Sequence, residues 1–211
     1  MPPLSAALRG TFGDIDIYLY DQIARGRFDD CRTVLDAGCG DGRNLHHLLS
    51  QGVRCFGVDR DPGAIAAVRR LAERLAPTLP ATNFTVGELD HLPWPDRSVD
   101  AVICSAVLHF SRDSEHFLAQ LSELWRVLAP GGLFFARLAS TIGLEALRGV
   151  PAGQRVALPD GSERFVVDEA LLVAWGERLG AALLDPIKTT NVQGIRAMTT
   201  WCLRKPMDGG A

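Results

Sequence analysis

The sequence predicts an α/β fold in which helices alternate with the strands of a mainly parallel sheet. Short apolar runs typical of buried strands alternate with stretches of helical periodicity. The first run, Thr33 to Leu35, leads into a turn with three glycines, after which a helix is expected from near Arg43. The second run, Val53 to Val58, ends in Asp59. Strand, glycine-rich turn, helix and strand in this order predict a βαβ unit.

Caps and breakers mark the elements around this unit. Residues 14–28 have apolar side chains near helical spacing, and we expect a helix that ends at Gly26. Asp61 and Pro62 are typical of a helix start, and that helix is expected to reach Ala76. The pattern then predicts a third strand, a fourth strand, a helix and a fifth strand, at residues 83–86, 101–104, 111–128 and 133–138.

The chain after Ser140 has a different pattern. Pro159-Asp160-Gly161 is typical of a hairpin turn, with arms expected at residues 155–158 and 164–167. A helix capped by Asp168 should follow as far as Leu179. Two final strands are expected at residues 182–190 and 197–205.

Composition and charge narrow the class of protein. The 211 residues suffice for one domain with a sizeable core, and 47% hydrophobic with 22% charged residues is ordinary for a globular protein. A net charge of −3 without a run of Lys or Arg argues against a nucleic-acid partner. No apolar run reaches the ~18 residues of a membrane helix, and the first residues lack the apolar length of a signal peptide. We therefore expect a cytoplasmic protein, monomeric or homodimeric, without a membrane partner.

The five cysteines are dispersed and form no C-x-x-C pair. Three stand in apolar strand contexts, where buried free cysteine is common, so we expect reduced thiols in the core. The alternative is a thiol relay to arsenic or another soft metalloid. That relay would need three cysteines near the active site, and only Cys39 is expected there. No metal site is predicted.

The turn after the first strand indicates a nucleoside ligand. It contains Gly38, Gly40 and Gly42, and glycine lets a ligand approach the main chain closely. Asp36, at the tip of the strand, can accept hydrogen bonds from an ammonium or hydroxyl group. Asp59 ends the second strand, where folds of this kind hold the two hydroxyls of a ribose. The two features together predict a nucleoside cofactor.

The spacing of the glycines indicates which nucleoside is bound. A dinucleotide fingerprint reads G-x-G-x-x-G/A, and its third position here falls on Arg43. A bulky side chain where helix and strand should pack closely argues against a nicotinamide dinucleotide. Residues 34–44 instead resemble the first motif of the class I S-adenosylmethionine (SAM) methyltransferases, which is close to hydrophobic-D-x-G-x-G-x-G. A nicotinamide-dependent oxidoreductase remains an alternative.

The resemblance extends in order over roughly residues 31–140. Asp59 matches the ribose-binding acid of the family, and Gly87-Glu88-Leu89-Asp90 matches the segment that contacts adenine, with Glu88 where Asp is commoner. Residues 92–100 resemble the LPFPDxSFD segment before the fourth strand, and residues 128–133 resemble the LkPGG turn before the fifth. The resemblance implies a Rossmann-like sheet of seven mostly parallel strands, with helices on both faces and the last strand antiparallel.

A single domain spanning residues 1–211 is implied, in three parts. Residues 1–30 would form an N-terminal helical lid, residues 31–140 the cofactor-binding core, and residues 141–205 the C-terminal hairpin, helix and closing strands.

The resemblance also implies SAM as the cofactor and assigns residues to it. The implied cofactor-binding residues are Asp36, Gly38, Cys39, Gly40 and Asn44 in the glycine loop, Asp59 and Arg60 at the ribose, Glu88 and Leu89 at the adenine, and Ser105 beside the methionine part.

Methyl transfer from a sulfonium is an in-line displacement with a neutral leaving group, so alignment matters more than acid catalysis. In the family the segment after the fourth strand faces the acceptor. His109 is the candidate base there, because an ordinary histidine pKa near 6.5 suits proton transfer; the alternative is that it packs or orients the loop. Tyr20 in the lid and Arg137 in the fifth strand are candidate substrate contacts. Plain packing is the alternative for Tyr20, and a buried ion pair for Arg137.

Some methyl acceptors are disfavoured by missing motifs. The segment after the fourth strand does not match the [D/N/S]-P-P-[Y/F] pattern of amino-directed DNA methyltransferases. No cysteine follows a proline, which argues against a cytosine-C5 methyltransferase. The same segment has no cluster of carboxylates for the magnesium ion of a catechol-type enzyme. The sequence therefore predicts SAM-dependent methyl transfer to an unidentified small molecule. A SAM-binding protein without transferase activity is a further alternative.

Overall fold

The computed structural model describes residues 3–208. The helices are α1 (Leu4–Phe12), α2 (Ile17–Ala24), α3 (His46–Ser50), α4 (Pro62–Leu75), α5 (Ser114–Val127) and α6 (Glu169–Arg178). The strands are β1 (Thr33–Ala37), β2 (Arg54–Asp59), β3 (Phe84–Val86), β4 (Val99–Ser105), β5 (Leu128–Ala139), β6 (Gln154–Ala157), β7 (Glu163–Val166), β8 (Ala182–Leu183), β9 (Lys188–Val192) and β10 (Arg196–Arg204).

Eight of these strands form one sheet in the order β3-β2-β1-β4-β5-β10-β8, with β9 also paired to β10. Strands β1 to β5 pair in parallel, and β10 lies antiparallel to β5. The order reverses between β1 and β4, and open sheets bind ligands in the crevice outside the carboxyl ends of such strands. The expected Rossmann-like, mostly parallel sheet with an antiparallel last strand is confirmed.

Strands β8 and β9 fill one position of the sheet in two pieces, because both lie antiparallel to β10. The eight strands therefore occupy seven positions, and the continuous strand expected at residues 182–190 is broken in the middle. Pro186 lies in the break and has no N–H group to donate to the ladder. Asp185 pairs instead with Arg27, at 2.7 Å between carboxylate and guanidinium.

The starts of α3 and β5, and the presence of α1, differ from the prediction made from the sequence. Helix α3 begins at His46 rather than near Arg43, because the Leu45 N–H donates to the Gly42 carbonyl in a turn first. Strand β5 begins at Leu128 rather than Leu133, since its pairing with β4 continues past a bulge. Helix α1 was not expected from the sequence. None of its side chains is buried, although Leu4, Leu8 and Phe12 stand at helical spacing.

The two faces of the sheet are covered by different helices. On one face α5 and α6 pack against alternate strand residues such as Leu35 and Phe134. On the other face α2, α3 and α4 pack against Val34 and Phe135, which adjoin Leu35 and Phe134 along their strands. This alternation follows from the two-residue period of a strand. The β6–β7 hairpin covers a smaller third cluster at the ends of β5 and β10.

Within residues 3–208, no helix combines the length and the apolar character needed to cross a bilayer.

Candidate functional site

The glycine loop after β1 is shaped by close packing on two sides. Gly38 and Gly42 have φ of 79° and 89°, which side chains with a Cβ adopt only at a cost. A Cβ at Gly38 would overlap the Val107 side chain, and one at Gly42 would lie 2.7 Å from atoms of Val68 and Leu71. A Cβ at Gly40 would meet nothing within 4 Å. The loop therefore leaves open space beside the main chain at Gly40.

Asp59 joins the glycine loop to the end of β2. Its carboxylate accepts from the Gly40 N–H at 2.9 Å and from the Asp61 N–H at 3.0 Å. Each carboxylate oxygen has a second lone pair, so Asp59 can still accept from a pair of hydroxyl groups. This geometry suits the ribose contact expected for Asp59.

Asp36 is a buried carboxyl group without a partner. It is 1% exposed, and neither oxygen has a hydrogen-bond partner among the described residues. The pKa of Asp36 is raised to about 8, mainly by burial, with Arg43 lowering it and Asp59 raising it by smaller amounts. An unsatisfied buried acceptor is costly, and at the carboxyl end of β1 it fits a ligand that supplies an ammonium or hydroxyl donor.

A cleft of about 360 Å³ opens beside the loop, and we call it the glycine-loop cleft. Six of the predicted cofactor residues line it, namely Gly38, Asp59, Arg60, Glu88, Leu89 and Ser105. These six residues come from the carboxyl ends of β1, β2 and β4 and from the segment after β3. The topology thus brings together residues up to 67 positions apart in the sequence. The cleft is also lined by Arg43, Phe110, His116 and Gln120.

His116 and Gln120 were not expected from the sequence. Both lie on α5, one turn apart, beside the buried Phe117 and Leu121. His116 Nδ1 accepts from the Arg112 N–H, and Gln120 Oε1 accepts from the Ser111 hydroxyl, at 3.1 and 2.7 Å. Two polar residues at i and i+4 along an apolar stripe were the signal in the sequence that could have identified them.

The other predicted loop residues have different surroundings. Asn44 is buried, and its Oδ1 accepts from the Asp16 N–H at 3.1 Å, which ties the loop to the N-terminal segment. The Cys39 thiol lies in the core against Gly57, and burial raises the pKa of that thiol well above its ordinary value. Cys39 also donates its N–H to the Val58 carbonyl at 3.0 Å. Neither of these two side chains lines the glycine-loop cleft.

The N-terminal segment is held over the strand ends by one carboxylate. Asp16 caps α2 by accepting from the Tyr18 N–H. Its Oδ2 accepts from the Ser105 hydroxyl at 2.9 Å and from Arg137 Nη1 at 3.2 Å. Arg137 also lies 5.0 Å over the Tyr18 ring, whose hydroxyl hydrogen-bonds Thr190. The ion pair considered for Arg137 is therefore present, with Asp16 as partner.

The Tyr20 ring packs edge-on against Phe12 at 4.9 Å between centroids, and Tyr20 does not line the glycine-loop cleft. Packing within the N-terminal segment therefore accounts for this residue.

A second cavity of about 310 Å³ adjoins the first, and we call it the arginine cavity. Ala106 and Phe110 line both spaces. Ala106 has a φ of 63°, uncommon for a residue with a Cβ, and such backbone strain is often found at functional sites. The remaining walls come from Arg137 on β5, the β6–β7 hairpin and the facing ends of β9 and β10.

His109 lines the arginine cavity rather than the glycine-loop cleft. It is 5% exposed, and its Nδ1 has no partner in the described part of the chain. Burial, with smaller contributions from the nearby Arg164, Arg137 and Arg196, lowers the pKa of His109 to about 4. The imidazole is therefore neutral at pH 7 and a weaker base than an ordinary histidine.

The described residues contain no group of three His, Cys, Asp or Glu side chains placed to hold a metal ion.

Comparison with known proteins agrees with this geometry. A family described as a methyltransferase domain matches residues 35–136. A probable S-adenosylmethionine-dependent methyltransferase of Mycolicibacterium smegmatis is 34% identical over 120 residues, which are 57% of this chain and 43% of that protein. The malonyl-[acyl-carrier protein] O-methyltransferase of Yersinia pestis is 34% identical over 108 residues, 51% of this chain and 37% of that protein. The chain thus spans less than half the length of these curated relatives.

Similarity to a solved structure covers nearly the whole chain. The 1,6-didemethyltoxoflavin-N1-methyltransferase of Burkholderia thailandensis, with 1,6-didemethyltoxoflavin and S-adenosylhomocysteine bound, has a TM-score of 0.68 at 18% identity, over 96% of this chain and 86% of that one. At this identity the likeness shows a shared fold. The comparisons therefore show that residues 35–136 match a methyltransferase domain, that a relative of this chain is a probable S-adenosylmethionine-dependent methyltransferase, and that the chain shares its fold with a methyltransferase that has S-adenosylhomocysteine bound.

Proposed function

We propose that this protein transfers the methyl group of SAM to a small-molecule acceptor. The observation that most supports the proposal is the pair of adjoining spaces. The glycine-loop cleft contains the residues suited to a nucleoside, and it shares Ala106 and Phe110 with a separate cavity of similar size. A transferase needs this arrangement, because cofactor and acceptor must meet at one point.

The cofactor would be held by groups that the structure leaves available. Asp59 can accept from the ribose hydroxyls, and Glu88 with Leu89 lines the part of the cleft expected to hold the adenine. The unpaired Asp36 carboxyl suits a donor at the amino-acid end, and a cation there favours its ionised form. The open space at Gly40 allows close approach to the main chain.

When bound, SAM supplies an electrophilic methyl group on a sulfonium whose leaving group is neutral. The residues of this chain then have to align the acceptor and keep water out, and alignment alone is worth ~7–11 kcal/mol. The Asp16 contacts to Ser105 and Arg137 hold the lid against the ends of β4 and β5.

His109 is proposed as the general base that removes a proton from the methyl acceptor when the nucleophilic atom of the acceptor is protonated. It lines the cavity, is neutral and has a free Nδ1. With an acceptor identified, His109→Asn should lower kcat on the order of 10²-fold and leave SAH affinity unchanged. If His109 only packs the loop, kcat and SAH affinity should both change in proportion to the lost stability.

Calorimetric titration with S-adenosylhomocysteine (SAH), with NADH as a control, tests the cofactor. We expect binding of SAH alone. Asp59→Ala should weaken it at least tenfold, because two charge-assisted hydrogen bonds are lost, whereas the exposed neighbour Asp41→Asn should leave it unchanged. Binding of NADH alone would revive the oxidoreductase alternative.

A metabolite library, screened by mass spectrometry for methylated product together with SAH, then tests the transfer itself. SAH binding without turnover on any acceptor would favour the alternative of a SAM-binding protein without transferase activity. A cytoplasmic location, the absence of nucleic-acid and membrane partners, and a monomeric or homodimeric state remain predictions. So does the division into lid, core and C-terminal part within a single domain.

A further inference from the structure

The arginine cavity lies where a methyl acceptor has to be, but the proposed function does not say what kind of molecule it takes. The cavity is separated from the glycine-loop cleft by Ala106 and Phe110, which line both. A molecule in it would therefore be one side chain away from the bound cofactor. The charge and hydrogen-bonding capacity of its walls restrict the chemistry of that molecule.

Three guanidinium groups from three separate elements line this cavity: Arg137 on β5, Arg164 on β7 and Arg196 on β10. All three lie close enough to His109 to lower its pKa, which is an independent sign that they face one space. Long side chains of like charge repel one another. Their convergence is therefore unfavourable unless an anion lies between them.

The three arginines have unused hydrogen-bonding capacity. Arg137 donates Nη1 to Asp16, but its buried Nε has no acceptor. Arg164 donates Nη1 to the Glu163 carbonyl and lies 4.8 Å over the Phe110 ring, which fixes its position at the boundary with the cleft. Arg196 forms no ion pair or side-chain hydrogen bond within residues 3–208.

Acidic side chains only partly balance this charge. Among residues 3–208, Asp160 is the one carboxylate that lines the cavity, and it accepts from the N–H and hydroxyl of Ser162 in the hairpin turn. Asp16 reaches Arg137 from the lid side. Three cations against these two carboxylates leave an excess positive charge, and both Arg164 and Arg196 lie near enough to Asp160 to lower its pKa.

The rest of the lining is apolar or neutral. Leu158, Val192, Met198 and Ala139 surround the charged groups, and the neutral His109 presents one polar nitrogen. A volume of about 310 Å³ corresponds to ten waters at roughly 30 Å³ each, enough for a small aromatic or branched acid. The walls therefore suit a molecule with an anionic head and a compact apolar body.

We propose that the arginine cavity binds the methyl acceptor through an anionic group, a carboxylate or a phosphate monoester, so that the acceptor is a small organic anion. Guanidinium is the side-chain group best matched to both, because its planar fork donates two parallel hydrogen bonds to paired oxygens. The inference rests on the function proposed above, since it assigns to that reaction its class of substrate.

The test compares charged and neutral probes of one shape on the protein saturated with SAH. Benzoate, phenyl phosphate and the neutral benzamide are titrated by ligand-observed NMR. We expect at least one anion to bind about tenfold more tightly than benzamide. Equal binding of benzamide and both anions would overturn the inference. A preference for benzoate or for phenyl phosphate would identify which anionic head the cavity accepts.

Four variants locate the site. Arg164→Gln should weaken binding of the preferred anion about tenfold, and Arg164→Lys should keep most of it. Asp160→Asn, which retains an oxygen acceptor for Ser162, should strengthen it severalfold because an opposing charge is lost. The exposed Arg178→Gln on α6 is the matched control and should change nothing. Equal effects of Arg164→Gln and Arg178→Gln, or weaker binding in Asp160→Asn, would overturn the inference.

Calorimetric titration of SAH on the same samples separates the two possible failures. Normal SAH binding with no preference for an anion refutes the anionic acceptor and leaves the proposed function intact. A preference for an anion without any SAH binding refutes the proposed function and keeps the arginine cavity as an anion site.

Discussion

The glycine-loop cleft and the arginine cavity share a wall but are built from different kinds of residue. The cleft is made by the ends of consecutive parallel strands, and its groups stand in short motifs such as Gly87-Glu88-Leu89. The cavity is assembled from the segment after β4, the β6–β7 hairpin, and side chains on β5, β9 and β10. The difference teaches that a cofactor site can be encoded locally while an acceptor site depends on how distant segments meet.

The largest expected effect is on the packing of the glycine loop. Gly38→Ala should lower the free energy of unfolding by about 3 kcal/mol or more and abolish SAH binding, because the added methyl overlaps Val107 at a φ of 79°. Urea unfolding of the variant measures the loss.

Gly52→Ala is the matched control, because Gly52 has a similar φ of 76° but open space around it. It should cost only the ~1 kcal/mol of backbone strain. The double variant with Val107→Ala should recover part of the stability lost in Gly38→Ala. Equal losses in Gly38→Ala and Gly52→Ala would show that contact with Val107 does not shape the loop.

The next effect concerns Asp16, which joins the two regions. Asp16→Ala removes the partner of Arg137 and the acceptor for Ser105, and we expect the free energy of unfolding to fall by about 2 kcal/mol. The full cost of breaking a buried pair is reduced here because the Arg137 side chain is 21% exposed. Urea unfolding, with limited proteolysis of the N-terminal segment, measures both stability and lid attachment. The exposed Asp14→Ala is the control, and a similar loss in that variant would contradict the role of Asp16.

A third prediction concerns the pH dependence that the cleft introduces through Asp36. Its pKa is raised to about 8 in the folded protein, so between about pH 4 and 8 the folded state binds more protons than the unfolded state. Stability without ligand should therefore fall as the pH rises through this range, by up to ~1.4 kcal/mol per pH unit. Urea unfolding at pH 6 and 7 measures the slope. Asp36→Asn should flatten it, and a slope unchanged in that variant would show that another group is responsible.

The smallest expected effect is a change in the pKa of His109 in the arginine cavity. The pKa of His109 is lowered to about 4 by burial and by the three arginines, so this residue adds stability as the pH rises from about 4 to 6.5. Arg164→Gln should move the pKa of His109 upward, as followed by NMR titration of the imidazole, and Arg178→Gln should not. An unmoved His109 titration in Arg164→Gln would mean that Arg164 does not face it.

Much of the cleft was predictable because its chemistry is local. Each of Gly38, Asp59 and Glu88 lies at or just after the carboxyl end of a predicted strand, and parallel strands bring such ends to one edge. His116 and Gln120 were missed for a physical reason. Helical periodicity shows which face of α5 is buried, but not which strand end that face approaches.

Two elements were not predicted from local patterns. Helix α1 was missed although Leu4, Leu8 and Phe12 stand at helical spacing along it, and the structure shows that none of its side chains is buried. The break between β8 and β9 lies at Asp185-Pro186, and its charged partner Arg27 is 158 residues away in the chain. A pairing at that separation leaves no periodic trace in the sequence.

The sequence by itself indicated the resemblance to SAM-dependent methyltransferases, the first strands of the sheet and the residues predicted to hold SAM, because strand ends and tight glycine turns depend on neighbouring residues. The tertiary structure alone decided that Arg164 and Arg196 join Arg137 and His109 around one cavity. It also decided that Asp16 ties the lid to Ser105. These contacts join segments dozens of residues apart, and only the packing of the hairpin and closing strands against the sheet sets the distances between their charges.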